Sequence, residues 1–286
     1  APGELLFDAD FSDYGNGDAT STSDGRSNDS RFSLVASGYE AGSTVQWEVK
    51  QGGQGWRSDF TGLGATLAGG QSDVLGVTLG ATGDWAFRAL VTDSAGNTRY
   101  VGDMSAGQAF VYDNAVQPGA LEFGTDFDDT AGAGGTTLDR ISSDGVFTLQ
   151  FGTAAEAGST WQFQQSSNGT SWVSLGGAST VGSAAIDLNS SGSGNYSFRA
   201  LVTDTAGNTA YTPVVGYTLD QQIVPAGVLG FGADFSDYGN AASGSTADGV
   251  TKDNSFTLVL NDVEAGAVFK GALAVDNPDG GVDHAR

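Results

Sequence analysis

Hydrophobic and polar positions alternate strictly along residues 85–92. Trp85, Phe87, Ala89 and Val91 interleave with Ala86, Arg88, Leu90 and Thr92. A period of two, with an aromatic-rich face opposite a face carrying an arginine, predicts a β-strand. Asp-Ser-Ala-Gly-Asn-Thr follows at 93–98 and predicts a turn. Gly and Asn tolerate positive φ, and Asp and Thr side chains hydrogen-bond turn backbone. The same fourteen positions return at 196–209 as Tyr-Ser-Phe-Arg-Ala-Leu-Val-Thr-Asp-Thr-Ala-Gly-Asn-Thr. A near-identical copy after about 110 residues predicts tandem domains, not one large fold.

A second marker opens each repeat. Gly3-Glu-Leu-Leu-Phe-Asp-Ala-Asp-Phe-Ser-Asp13 matches 119–129 and 227–237, and a proline precedes each copy (Pro2, Pro118, Pro225). Leu5 and Phe7, Leu121 and Phe123, and Leu229 and Phe231 suit a short first strand. An acidic Gly/Ser-rich loop follows, then strands at 31–35, 146–151 and 255–260, then Glu-Ala-Gly at 40–42, 156–158 and 264–266. In the first two units, strands ending near Trp47 and Phe163 lead to turns closing on Trp56 and Trp172; residues 166–171 read as a hairpin loop. Weaker strands are expected around 73–79 and 181–188, and last strands at 108–112 and 214–219. About seven strands per repeat predict an all-β chain of tandem immunoglobulin-like seven-stranded β-sandwiches over 1–114 and 115–221. Residues 222–286 read as a partial third repeat. It lacks the Trp-closed hairpin and the Phe-Arg-Ala-Leu-Val-Thr-Asp strand. The preferred expectation is that the sequence continues in a longer protein; the other is completion by a neighbouring chain. The aromatic residues at 47, 56, 85, 87, 161, 163, 172, 196 and 198 recur at matched positions and are expected in the core.

Composition agrees with this reading. Forty-five Gly, 5 Pro and 1 Met are turn chemistry between strands, while 5 Trp and 16 Phe suffice for packed cores. With 34 acidic residues against 11 basic, net −23, the chain repels phosphates and anionic membranes and attracts divalent cations. No nucleic-acid partner and no membrane insertion are expected. Absence of cysteine excludes disulfides and thiolate metal sites.

The acidic residues gather at repeat boundaries. At the first junction they are Asp93 and Asn97 after the repeated strand, Asp113 in the linker, and Asp126, Asp128, Asp129 and Asp139 of the next unit. Asp204, Asn208, Asp220, Asp234, Asp237 and Asp248 correspond at the second. Asp10, Asp13 and Asp24, with Asp8, would make an N-terminal half-site. The expectation is that these loops and linkers meet where two domains abut, offering the hard oxygen ligands that calcium takes six to eight of. Without a cation, like charges about 4 Å apart repel by roughly 1 kcal/mol even in water. The bland alternative is aspartate as turn former and solubilising residue.

The order of an Asp-rich loop, Asp-Gly-Val-Thr-Lys-Asp-Asn-Ser-Phe-Thr-Leu (248–258), Glu-Ala-Gly, a Trp-closed hairpin and Thr-Asp-Thr-Ala-Gly-Asn-Thr (203–209) resembles bacterial immunoglobulin-like repeats. Such repeats occur in giant calcium-dependent, biofilm-associated surface adhesins, many exported by RTX-type secretion. The resemblance covers the first two units and the first half of the third. It implies an extracellular place on a bacterial cell surface and calcium that stiffens domain junctions, at the aspartates just named. Asp-Arg-Ile-Ser-Ser-Asp at 139–144 departs from the family's Asp-Gly-Val/Ile-Thr, and the third unit departs after Gly266.

Enzymatic readings find little support. His284 is the only histidine and lies in a polar tail expected to be unstructured, so thiol and Ser-His catalysis and His-ligated zinc are excluded. Composition leaves open a paired-carboxylate glycosidase, but the acids cluster at repeat boundaries, not in one cleft. The expected role is a non-enzymatic spacer whose partners are other domains of a longer chain or neighbouring copies, with a cell-surface or matrix ligand beyond. One rival is a self-assembling filament or surface-layer subunit whose third repeat is completed by a neighbour. The other is a carbohydrate-binding accessory module, for which Tyr14, Tyr238 and Phe60 are the candidate platform residues.

Overall fold

The computed structural model describes residues 3–12, 25–58, 67–68, 72–101, 108–129, 139–222, 226–236, 253–264, 267, 269–272, 274–276 and 282–284. Every regular element among them is a β-strand, and every sheet takes its strands from a single repeat. The chain falls into two compact units. One is Ala1–Gly124 with Thr148–Ala185 and Tyr196–Gly216; the other is Thr125–Phe147 with Ile186–Asn195 and Tyr217–Arg286. The division runs through the strands of the second repeat.

The first repeat contains β1 (Glu4–Phe7), β2 (Arg26–Ser27), β3 (Arg31–Ser37), β4 (Thr44–Gln51), β5 (Leu67–Ala68), β6 (Ser72–Thr78), β7 (Gly83–Thr92), β8 (Thr98–Val101) and β9 (Gln108–Tyr112). Seven are longer strands; β2 and β5 are two-residue pieces. One sheet runs β1-β3-β6-β5; the other runs β2-β9-β7-β4, with β8 also paired to β7. The repeated strand is β7. Its inward residues Trp85, Phe87, Ala89 and Val91 pack with Phe32, Leu34 and Ala36 of β3, Trp47 and Val49 of β4, and Leu75 and Val77 of β6. Inward and outward positions alternate as the pleat requires. Phe7 stacks on Phe11 at 4.0 Å, and both meet Phe32 and Phe110 edge-on, closing the core.

The second repeat contains β10 (Ala120–Phe123), β11 (Ile141–Ser142), β12 (Val146–Thr153), β13 (Thr160–Ser166), β14 (Val173–Ser174), β15 (Ser183–Asp187), β16 (Gly194–Thr203), β17 (Thr209–Tyr211) and β18 (Val215–Leu219). Its sheets run β10-β12-β15 and β11-β18-β16-β13-β14, with β17 on β16. Two sheets of this order in each of two repeats, antiparallel except for the short parallel pairings β2–β9 and β11–β18, make the chain a tandem immunoglobulin-like β-sandwich protein. The opening glycine has a steric reason: Gly119 sits at φ 69°, and a Cβ there would lie 2.4 Å from the Thr153 carbonyl oxygen. The expected hairpin loop is present between β13 and β14. Asn168 Oδ1 accepts from the backbone N–H of Thr170 and Ser171 at 2.9 and 2.7 Å.

In the third repeat, β19 (Ala226–Phe231) pairs with β20 (Leu258–Val263), and β21 (Ala274–Asp276) pairs with β22 (Val282–His284). His284 therefore lies in a paired strand, where an unstructured tail was expected.

Three tryptophans differ from the expected core. Trp47, Trp85, Phe87, Phe163, Tyr196 and Phe198 are buried. Trp56 and Trp172 are only half-buried, as is Trp161. Since alternate residues of β7 face the core, Arg88 faces outward, and Trp56 and Tyr100 fold over it with its guanidinium 4.3 and 4.2 Å from their ring centres. Arg199 of β16 repeats this with Trp172 and Tyr211 at 4.1 and 3.7 Å. These are cation–π stacks on the outer sheet face.

Candidate metal centre

Strand β7 separates residues that the sequence grouped together. Gly83 at its start pairs with Tyr112, next to Asp113, whereas Asp93 follows its end. A ten-residue strand puts Asp93 and Asn97 roughly 30 Å from Asp113. Asp113 instead meets the next repeat's copy of the turn. Carboxylate oxygens of Asp113, Glu156 and Asp204 all lie within 4.8 Å of one another. This is the one such acidic group among the described residues, and all three members belong to the first compact unit.

Three chain segments build it. The linker brings Asp113, whose backbone N–H donates to the Ser27 carbonyl at 3.0 Å. The Glu-Ala-Gly turn brings Glu156. Its N–H donates to the Gln117 carbonyl at 2.9 Å, and its Oε2 accepts from the Gln117 N–H at 3.2 Å. The turn between β16 and β17 brings Asp204. Asn208 donates its backbone N–H to Asp204 Oδ1 at 2.8 Å, and its Nδ2 donates to Asp204 Oδ2 at 2.8 Å and to the Asp113 carbonyl at 2.9 Å. Asn28 of the first repeat also donates to the Ala206 carbonyl in this turn at 3.2 Å.

The electrostatics leave a charge deficit. Asp204 is 1% exposed, and Asp113 and Glu156 are half-buried. No lysine or arginine pairs with any of the three among the described residues. Asn208 satisfies hydrogen-bonding capacity but not charge. Like charges at about 4 Å repel by roughly 4 kcal/mol at the effective dielectric of a protein surface. Three hard carboxylate oxygens within 4.8 Å of one another, one of them from a buried residue, fit a calcium-class cation.

The other named residues are placed elsewhere. Asp93 makes the same turn in the first repeat, accepting at Oδ2 from Asn97 Nδ2 at 2.8 Å. That side-chain bond, with the backbone N–H groups of Asn97, Ala95 and Gly96, holds its carboxyl below the usual aspartate range. Asp10 binds the Ser33 N–H and hydroxyl at 2.9 and 2.8 Å. Asp234 repeats this with the Thr257 hydroxyl at 2.6 Å, which lowers its carboxyl likewise. Asp126 occupies the same motif position. Asp129 Oδ2 accepts from the Arg140 N–H at 3.3 Å, and Asp139 Oδ1 from the Ile141 N–H at 3.0 Å. The Asp128 N–H donates to Asp144 at 3.0 Å, and Asp220 caps Gln222 at 3.2 Å. These aspartates serve their own loops, and the structure does not bring them to Asp113. Asp13, Asp24, Asp237 and Asp248 lie outside the described residues, as do Tyr14, Tyr238 and Phe60. Sequence reasoning missed Glu156; the available signal was Glu-Ala-Gly recurring three times, to which no ligand role was attached.

No protein-family model and no curated protein matches the chain. Among solved structures, fibronectin(III)-like modules of Clostridium thermocellum CbhA align over 75% of this chain and 92% of theirs, at 10% identity and a TM-score of 0.31. The FN1–FN3 domains of chicken CNTN1 align over 76% of this chain and 65% of theirs, at 12% identity and 0.29. A chain of a cytokine receptor complex aligns over 66% of this chain and 92% of its own, at 11% identity and 0.29. Likeness at these scores adds nothing to what strand pairing establishes. No helix among the described residues is long and apolar enough to cross a membrane.

Proposed function

We propose that this chain is an extracellular spacer segment of a bacterial surface adhesin, with tandem sandwiches aligned by calcium at the junction between repeats. One observation carries the reading: Asp204 is almost fully buried beside Asp113 and Glu156, with no cationic side chain among the described residues paired to any of them. Asp113 comes from the linker after the first repeat, and Glu156 and Asp204 come from the second. A cation held by all three binds only the docked arrangement and shifts the population toward it. The role is mechanical reach: a stiffened junction holds a distal module away from the cell. Small-angle scattering of the chain in calcium and then in chelator tests this. The expected result is a more flexible particle after chelation; an unchanged profile defeats calcium-set alignment.

A second reading, a filament or surface-layer subunit, draws on the third repeat. Leu229, Phe231 and Phe269 are 65%, 59% and 68% exposed, whereas Leu5, the first-repeat counterpart of Leu229, is 4% exposed. Negative-stain images showing only single particles would remove that reading.

A further inference from the structure

We propose that the Ser159 hydroxyl is a further ligand of the junction cation, alongside Asp113, Glu156 and Asp204. The proposal rests on the cation reading above and adds a neutral oxygen to its donor set. Register makes the first argument. Thr160 pairs with Thr203 at the end of the antiparallel β13–β16 ladder, so continuing it one position sets Ser159 opposite Asp204. Directly opposed residues project from the same face of a sheet. That face is the inward one: Phe163 on β13 and Phe198, Ala200 and Val202 on β16 are all buried. Ser159 and Asp204 each lie one residue beyond the ladder, on the continuation of that inward face and at the end met by the linker.

The second argument is an unpartnered atom. Ser159 is 2% exposed, and its Oγ has no hydrogen-bond partner among the described residues. Its backbone N–H donates to the Glu156 carbonyl at 3.2 Å, so the same turn fixes both residues. A buried hydroxyl without a partner is destabilising, and native structures seldom keep one without a use. A hydroxyl oxygen is a hard donor of the class calcium accepts. It adds coordination without adding to the repulsion among the carboxylates.

The other repeats supply an internal control. Ser43 occupies the matching place in the first repeat, with its N–H on the Glu40 carbonyl at 3.2 Å and register opposite Asp93. In the third repeat, Ala267 makes the same turn on Glu264 at 3.1 Å, with no hydroxyl to offer. Ser159→Ala therefore gives the second repeat the third repeat's residue at this position.

The experiment uses the full chain, calcium calorimetry, and terbium luminescence lifetimes in light and heavy water to count coordinated waters. Ser159→Ala is expected to weaken calcium binding about tenfold, within the range seen when metal-site support is removed. It should also add about one water to bound terbium, as a vacated ligand position of a flexible oxygen-rich site is filled by solvent. In chelator, the variant should melt no lower than the parent, since it loses only an unpaired group; a lower melt in chelator would assign Ser159 a packing role and overturn the proposal. Asp204→Asn separates the two claims. If the parent binds and Asp204→Asn does not, yet Ser159→Ala matches the parent in affinity and water count, Ser159 is no ligand while the site stands. If the parent binds no ion, or Asp204→Asn binds as well as the parent, the site reading fails and takes Ser159 with it.

Discussion

The turn after the long Phe-Arg-Ala-Leu-Val-Thr strand is nearly the same in both repeats, yet its aspartate meets two environments. In the first repeat Asp93 is solvated and bonded to its own turn through Asn97. In the second, Asp204 makes the same bonds to Asn208 and is 1% exposed, because the linker with Asp113 and the Glu156 turn lie over it. Identical local chemistry thus yields a solvated cap in one place and a charge-deficient pocket in the other. The difference comes from what covers the turn, not from the turn itself.

If cover alone separates the two turns, the cores beneath them should respond alike. Phe87→Ala and Phe198→Ala should each cost about 3–5 kcal/mol in denaturant unfolding. Markedly unequal costs would trace the difference to packing. The cation arm comes next. Calcium at a hundred times its dissociation constant should stabilise the chain by about 2.7 kcal/mol. Asp204→Asn should remove that gain and Asp93→Asn should keep it, read as melting shifts with and without chelator. Equal loss in both variants would break the comparison.

Asn208→Ala should cost about 1–2 kcal/mol, because it removes the bonds to Asp204 and to the Asp113 carbonyl together. Asn97→Ala, which removes a solvated bond, should cost less. The smallest effect is in pH. Asp93 titrates below the ordinary aspartate range, chiefly through its Asn97 side-chain bond. A depressed folded value means this contribution is complete above the ordinary range and is lost as pH falls through it toward the folded value. Carboxyl NMR should show the Asp93 midpoint move up in Asn97→Ala.

Much of the fold was legible because alternation and turn chemistry are local. The 85–92 and 196–203 patterns gave strands with the expected inward faces, and Ser-Asn-Gly-Thr gave the hairpin after β13. Strand β8 was not foreseen, because the Asp-x-Ala-Gly-Asn turn was read as an ending and not as a hairpin. Trp56 and Trp172 were assigned inward because recurrence does not distinguish a core position from a cation–π stack on the outer face. The site was half legible. Asp113, Asp204 and Asn208 were named, but proximity in sequence tied Asp113 to Asp93, and a ten-residue strand sets those far apart. Glu156 was hidden by a motif that also makes an ordinary turn.

Strand β2 runs parallel to the last strand of the first repeat, with Arg26 beside Val111 and Ser27 beside Tyr112, and the Asp113 N–H donates to the Ser27 carbonyl. A pull on the flanking chain loads these bonds side by side in shear, instead of peeling them one at a time. A tether bearing traction would rupture there only when several bonds give way together.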